Sequence, residues 1–151
     1  MFSYAQVSEV QIGVDGLTCS QCTRSVEMSI RKLDFVKDVK MNLEHTEGTI
    51  TFKGNRSVDY NKIAQAVINA GFSVRYMQAS ISFNHVDVSA GHCFANSGYN
   101  YEFVQTKTQT LDGTVMVKLI GSKFVPKKEL KKWQPLLKNN CGGDNVYYIT
   151  I

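Results

Sequence analysis

The chain has 151 residues, 43% hydrophobic and 20% charged, the balance of a globular protein with room for one medium domain or two small ones. No apolar run is long enough to span a bilayer. The net charge of +4 is too small, and its basic residues too little interleaved with aromatics, to point to nucleic acid; no zinc-finger spacing occurs either.

At the N-terminus, Ser3 and Ala5 put small residues three and one before Gln6, as a signal-peptidase site does, without the charged start or apolar core of a leader. This predicts the end of a truncated signal on a periplasmic or otherwise exported protein. A frayed N-terminus on a cytoplasmic protein is the alternative. Val10, Ile12 and Val14 then alternate with Gln11, Gly13 and Asp15, the period of a half-buried strand. After a loop at Gly16–Cys19, Cys22, Val26, Ile30 and Leu33 share one face of a helix. Val39, Met41 and Leu43 mark a second strand, "HTEG" (His45–Gly48) a turn, and Ile50 and Phe52 a returning strand.

Ser57 or Asp59 can cap a second helix with Ile63, Val67 and Ala70 on its apolar side, and Gly71 stops it. Phe72, Val74 and Tyr76 open a fourth strand. The order βαββαβ over residues 7–77 predicts a ferredoxin-like α+β sandwich, both helices on one face of an antiparallel sheet.

Residues 79–151 read as a separate small α+β domain of unassigned role. Residues 79–98 are polar and rich in Gly, Ser and Asn, with a short strand at Ser80–Phe83. Tyr99–Thr106 is strand-like, "LDG" (Leu111–Gly113) is a turn, and Val115, Val117 and Leu119 return. Pro126 fits a first helical position, and Leu130, Trp133 and Leu137 form an apolar stripe interrupted by Pro135. Val146–Ile151 closes as a strand. These elements predict a ββαβ unit anchored by Trp133. Its charge is one-sided, eight lysines against five acidic residues over 78–151, whereas 7–77 holds nine basic and eight acidic residues. The lysines of "PKKELKKWQPLLK" (Pro126–Lys138) read as a solvated helix face.

Cys19 and Cys22 stand at the strand-to-helix junction, and three functions compete for them. A redox pair would sit there, as in thioredoxin-like proteins. A zinc ribbon would need a second CxxC, which the chain lacks. A bis-thiolate site needs only these two sulfurs. Residues three apart on a first helical turn face the same way, with Cβ atoms roughly 5–6 Å apart. The helix N-terminus favours the thiolates that bind metal, and thiolate-only coordination selects Cu(I) and other soft ions. A structural disulfide across the loop is the non-functional alternative.

"GLTCSQC" (Gly16–Cys22), with the strand before it, "VKDVKMNL" (Val36–Leu43) and "AVINAGF" (Ala66–Phe72), resembles the heavy-metal-associated domain of copper chaperones, copper-ATPase N-terminal modules and periplasmic mercury-binding proteins. The likeness covers residues 7–77. It implies that Cys19 and Cys22 hold the ion, most readily Cu(I), with Hg(II), Zn(II) or Cd(II) as other soft guests. It also implies transfer by thiolate exchange to or from a partner protein that docks around Cys19 and Cys22, with no catalysis on a substrate. Leu17 takes the place of the family's usual Met under the loop, beside Thr18. Phe72 falls where copper chaperones often carry Lys or Tyr and resembles the ATPase-module variant.

Four further groups are candidates. In an exported protein Cys93 would pair with Cys141, stapling a thin core; alternatively His92, Cys93 and Cys141, with His85 nearby, would hold a second metal. His45 beside the hairpin turn reads as exposed. Met28, Met41, Met77 and Met116 read as packing residues.

Overall fold

The computed structural model describes residues 6–54, 56–96 and 98–151. The signal-like residues Ser3 and Ala5 lie outside them.

Strand β1 (Gln6–Asp15) leads through the Gly16–Cys19 loop to helix α1 (Ser20–Arg31). Strands β2 (Val36–Asn42) and β3 (Glu47–Phe52) form a hairpin, and helix α2 (Tyr60–Asn69) returns the chain to β4 (Ser73–Val88). The order β2-β3-β1-β4, antiparallel throughout, is the ferredoxin-like arrangement expected from residues 7–77. Val10, Ile12 and Val14 of β1 are buried with Val26 and Ile30 of α1 and with Ile63 and Val67 of α2. Both helices therefore cover the same sheet face, and the Ser29 hydroxyl of α1 donates to the Ala66 carbonyl of α2 at 2.7 Å.

The helix ends follow from local chemistry. Cys19 is the N-cap of α1, in extended conformation, and its sulfur accepts from the Cys22 amide. Asp59, one of the two expected caps, receives the Lys62 amide at the start of α2 at 3.1 Å. Gly71, at φ +97°, ends that helix.

The second half departs from the sequence reading. The expected boundary between residues 77 and 79 falls inside β4. That strand runs on to Val88, with Met77, Ala79, Ile81 and Phe83 all buried. Serines at 80 and 82 and the small Ala79 make this stretch look like a polar linker, but its period of two is intact.

Beyond β4 come β5 (Cys93–Asn96), β6 (Tyr99–Phe103), β7 (Gln109–Ile120), α3 (Lys127–Trp133) with a 3₁₀ turn at Gln134–Leu136, and β8 (Val146–Thr150). Instead of forming a separate ββαβ unit, these strands complete one sheet of eight, ordered β2-β3-β1-β4-β7-β8-β6-β5. The "LDG" segment is not a turn: Leu111 and Gly113 sit within β7, opposite Val86 and Phe83 of β4. Asn84 and His85 face the single residue Asp112 there, a β-bulge with His85 at φ +50° and Gly113 at φ +89°. The Asp-Gly pair supplies the bulge's backbone rather than a hairpin's. β6 pairs with β8 in parallel, so the β6–β7 hairpin implied by the turn reading does not form.

The anchor of this half also differs. Trp133, Leu130 and Leu137 are only half-buried, whereas Phe124 and Val125, just before α3, are buried. Pro126 is the N-cap rather than the first helical residue. The Trp133 indole instead donates to Glu129 at 3.1 Å, and that carboxylate also pairs with Lys118 of β7.

Candidate metal-binding site

The loop between β1 and α1 is built on Gly16, whose φ of +95° lies outside the range an L-residue adopts comfortably. A Cβ at this position would meet the Phe72 ring at 3.1 Å. Leu17 turns inward and is 6% exposed, joining the core under the loop; Phe72 packs half-buried against the same core. Thr18 is exposed. Of the three residues expected beside the ion, Leu17 and Phe72 thus form an apolar floor, and Thr18 faces outward.

Cys19 is exposed and Cys22 half-buried. Their Cα atoms are 5.2 Å apart and their sulfurs are paired with each other. The Cys22 amide donates to the Cys19 sulfur at 3.2 Å, and the Cys19 carbonyl accepts from the Thr23 amide and hydroxyl, each at 3.1 Å. The first turn of α1 carries no acidic residue, so its N–H groups and dipole act on the sulfurs unopposed. The free N–H groups and the positive end of the helix dipole favour negative charge at this position.

The rim is fixed from the β-side. Arg75 donates to the Val14 carbonyl at 3.2 Å, to Thr46 Oγ1 at 3.0 Å and to Asp15 at 3.2 Å, tying the end of β1 to the β2–β3 turn. Asp15 is thereby ion-paired close to the loop. The donor set suits a soft ion: two sulfurs reachable from solvent, amide donors around them, and an apolar floor that supplies no hard oxygen ligand.

A sequence model described as the heavy-metal-associated domain matches residues 11–73, the stretch that carries this loop. The copper chaperone CopZ of Bacillus subtilis is 34% identical over 61 residues, which cover 40% of this chain and 87% of CopZ. The chain belongs to the heavy-metal-associated family.

Two other relatives also match about half of this chain. The periplasmic component of a mercuric transport protein from Pseudomonas fluorescens is 32% identical over 69 residues, covering 46% of this chain and 75% of that protein. Copper-transporting ATPase 1 of Rhizobium meliloti is 37% identical over 70 residues, covering 46% of this chain but only 8% of the ATPase. The chain thus spans a small fraction of the transporter's length.

Of the remaining sequence candidates, His45 and Met41 border this region: the His45 carbonyl accepts from Arg75 at 3.3 Å, and Met41 lines the same surface as Ser20 and Gln21 of α1. His45 is exposed at the β2–β3 turn. Met77 is fully buried, Met28 and Met116 are exposed, and the Met41 sulfur lies against Gly48. His85 pairs with Asp112 at 3.3 Å. Cys93 and Cys141 form a disulfide, Cα atoms 5.7 Å apart. His92 stands against the Phe103 ring, 6.1 Å between centroids, and is not part of the cluster that surrounds this disulfide. The residue that is part of it, Glu102, was missed by sequence reasoning. It lies in the alternation of β6 among Tyr101 and Phe103, where a carboxylate reads as the solvent-facing member.

Proposed function

We propose that residues 7–77 bind one soft heavy-metal ion as cargo through the thiolates of Cys19 and Cys22, and exchange it with a partner protein that docks on the surrounding face. Cu(I) is the preferred ion. The observation that carries this reading is the pair of adjacent sulfurs at the exposed, acid-free N-terminus of α1. Reduction of the pair frees two thiolates that need only a small separation to clasp a linear ion. Thiolate ligation favours Cu(I), and the relatives named as a copper chaperone and a copper-transporting ATPase support that choice. The mercuric transport relative supports Hg(II) as an alternative guest. Exposure of Cys19 supports transfer, since an incoming thiolate can reach the ion and form a three-coordinate intermediate.

The protein acts by binding and transfer rather than catalysis, with residues 79–151 as an appendage to the metal module. An exported location is supported by the Cys93–Cys141 disulfide, which oxidising compartments maintain.

Competition against a Cu(I) chelator tests the assignment. The reduced protein is expected to take one Cu(I) per Cys19/Cys22 pair. The Cys19→Ser/Cys22→Ser variant is expected to lose this binding while keeping its far-UV circular dichroism. Unchanged affinity in that variant would sink the proposal.

The sulfur pairing of Cys19 and Cys22 also favours a second reading, dithiol–disulfide exchange. Turnover in an insulin-reduction assay separates the two. Negligible turnover is expected, and rapid reduction abolished by Cys19→Ser would establish the oxidoreductase instead.

A further inference from the structure

Glu102 is 1% exposed, the only buried acidic side chain among the described residues. It stands on β6 directly opposite Cys93 of β5, a register that brings the two side chains together on one face. The loop after α3 closes over it. The Asn140 amide donates to Glu102 at 2.7 Å, the Asn140 side chain at 3.3 Å and the Cys141 amide at 3.4 Å. Cys93 Sγ, Cys141 Sγ and a Glu102 carboxylate oxygen all lie within 4.8 Å of one another.

A disulfide staple does not need this carboxylate. Burying a charge among neutral N–H donors is costly, and an apolar residue or an amide would fill the same position beside Cys93 more cheaply. Three donors also leave a lone-pair position of the carboxylate open, since an ionised carboxylate accepts about four hydrogen bonds. Two sulfurs and a carboxylate oxygen are, however, a donor set for Zn(II) or Cd(II), with a solvent molecule completing the tetrahedron.

We propose that Cys93, Cys141 and Glu102 form a second metal site for a divalent ion of the Zn(II) class, closed while the disulfide is intact and opened by its reduction. The site is distinct from Cys19 and Cys22, and its chemistry differs: two thiolates with a hard oxygen favour a divalent ion, whereas the bare thiolate pair favours Cu(I). The opening step consumes a dithiol reductant. One of its thiolates attacks a sulfur of the Cys93–Cys141 bond, the second resolves the mixed disulfide, and the reductant leaves as its own disulfide. Its two electrons and two protons remain as the thiols of Cys93 and Cys141. Metal entry then releases those protons to solvent.

The test uses the full chain carrying Cys19→Ser and Cys22→Ser, so that only the second pair can bind. The protein is reduced with dithiothreitol, freed of reductant without air, and titrated with Cd(II) by its thiolate charge-transfer absorption. One equivalent is expected for the reduced protein and none for the oxidised. Adding Glu102→Gln is expected to weaken binding about tenfold or more, since even groups that only support a ligand are worth that much. If the Gln variant does not fold, Glu102→Asp keeps the charge but withdraws it by one methylene, and the same weakening is expected. Adding Cys93→Ser leaves Glu102 in place and is expected to abolish the signal. Absence of Cd(II) binding by the reduced protein overturns the proposal. So does affinity that is unchanged in the folded Glu102 variant, because the site would then be a thiolate pair alone.

Discussion

At Gly16 the backbone turns with φ +95°, three residues before the Cys19 N-cap of α1, and a Cβ placed there would lie 3.1 Å from the Phe72 ring. A methyl group here meets two penalties, an unfavourable backbone well and a close approach to the ring. Gly16→Ala is therefore expected to destabilise the protein by roughly 1–2 kcal/mol, read from urea unfolding. Adding Phe72→Ala removes the steric part, so the double variant should lose less than the sum of the two single changes. Strict additivity would show that the ring does not brace the loop. The two sulfurs and the glycine before them were legible in the sequence because their spacing is local. The support from Phe72 was legible only through the family resemblance, since residues 16 and 72 are far apart in the chain. Glu102 was not legible at all. Its neighbours Cys93 and Cys141 are brought to it by strand register and by the loop after α3, and neither is written in a pattern around residue 102.

At the scale of elements, α2 is the joint between the two halves. Asp59 caps it through the Lys62 amide and also accepts from the hydroxyls of Tyr99 at 3.2 Å and Tyr147 at 3.4 Å. Tyr60, the first residue of the helix, is fully buried and packs edge-on against Tyr101 and Tyr147, with centroids 6.1 and 4.8 Å away. Burial pushes the Tyr101 hydroxyl up to about 12 and raises those of Tyr60 and Tyr147, so all three keep their protons at neutral pH and remain donors. Asp59→Ala removes a helix cap and two inter-half acceptors together. A loss of roughly 1–3 kcal/mol is expected, more than a cap alone supplies, whereas Asp59→Asn retains the capping oxygen and should cost less. Equal losses for both variants would argue that the negative charge, not the cap, matters. The sequence marked Asp59, with Ser57 as the alternative, as a cap from its position before an apolar-periodic run. It did not mark it as a joint, because the tyrosines that meet it come from β6 and β8. The same distinction explains the "LDG" error: Asp-Gly favours a left-handed backbone, and both a turn and a bulge use one.

For the molecule as a whole, the continuous β4 and the tyrosine contacts around α2 bind the halves, while the disulfide closes a loop within the second. The Cys93–Cys141 bond closes a sequence separation of 48 residues, which in the chain-entropy model stabilises by roughly 4 kcal/mol. Reduction, or Cys93→Ser/Cys141→Ser, is expected to lower stability by about 2–5 kcal/mol, and both cysteines of native oxidised protein should resist alkylation. Free, alkylatable thiols at both positions would remove this staple and with it the support for export. Continuity of β4 makes a second demand. Each half of a two-domain chain would unfold at its own midpoint. Here β4 pairs with β1 on one side and β7 on the other, and the buried core passes without a break from Ile12 through Met77 and Ala79 to Val117 and Leu119. The two halves should therefore unfold together. Trp133 fluorescence reports the second half, since the chain's single tryptophan lies in α3. Helical circular dichroism reports mainly the first, which holds the two longer helices. Coincident urea midpoints are expected for the two probes, and Tyr60→Ala should shift both downward by the same amount. A shortened chain ending at Met77 would sever β4 and uncover Tyr60, so it should be less stable than the same residues within the full chain. Separated midpoints, together with a fragment ending at Met77 as stable as the parent, would show instead that the sheet joins two units that fold independently.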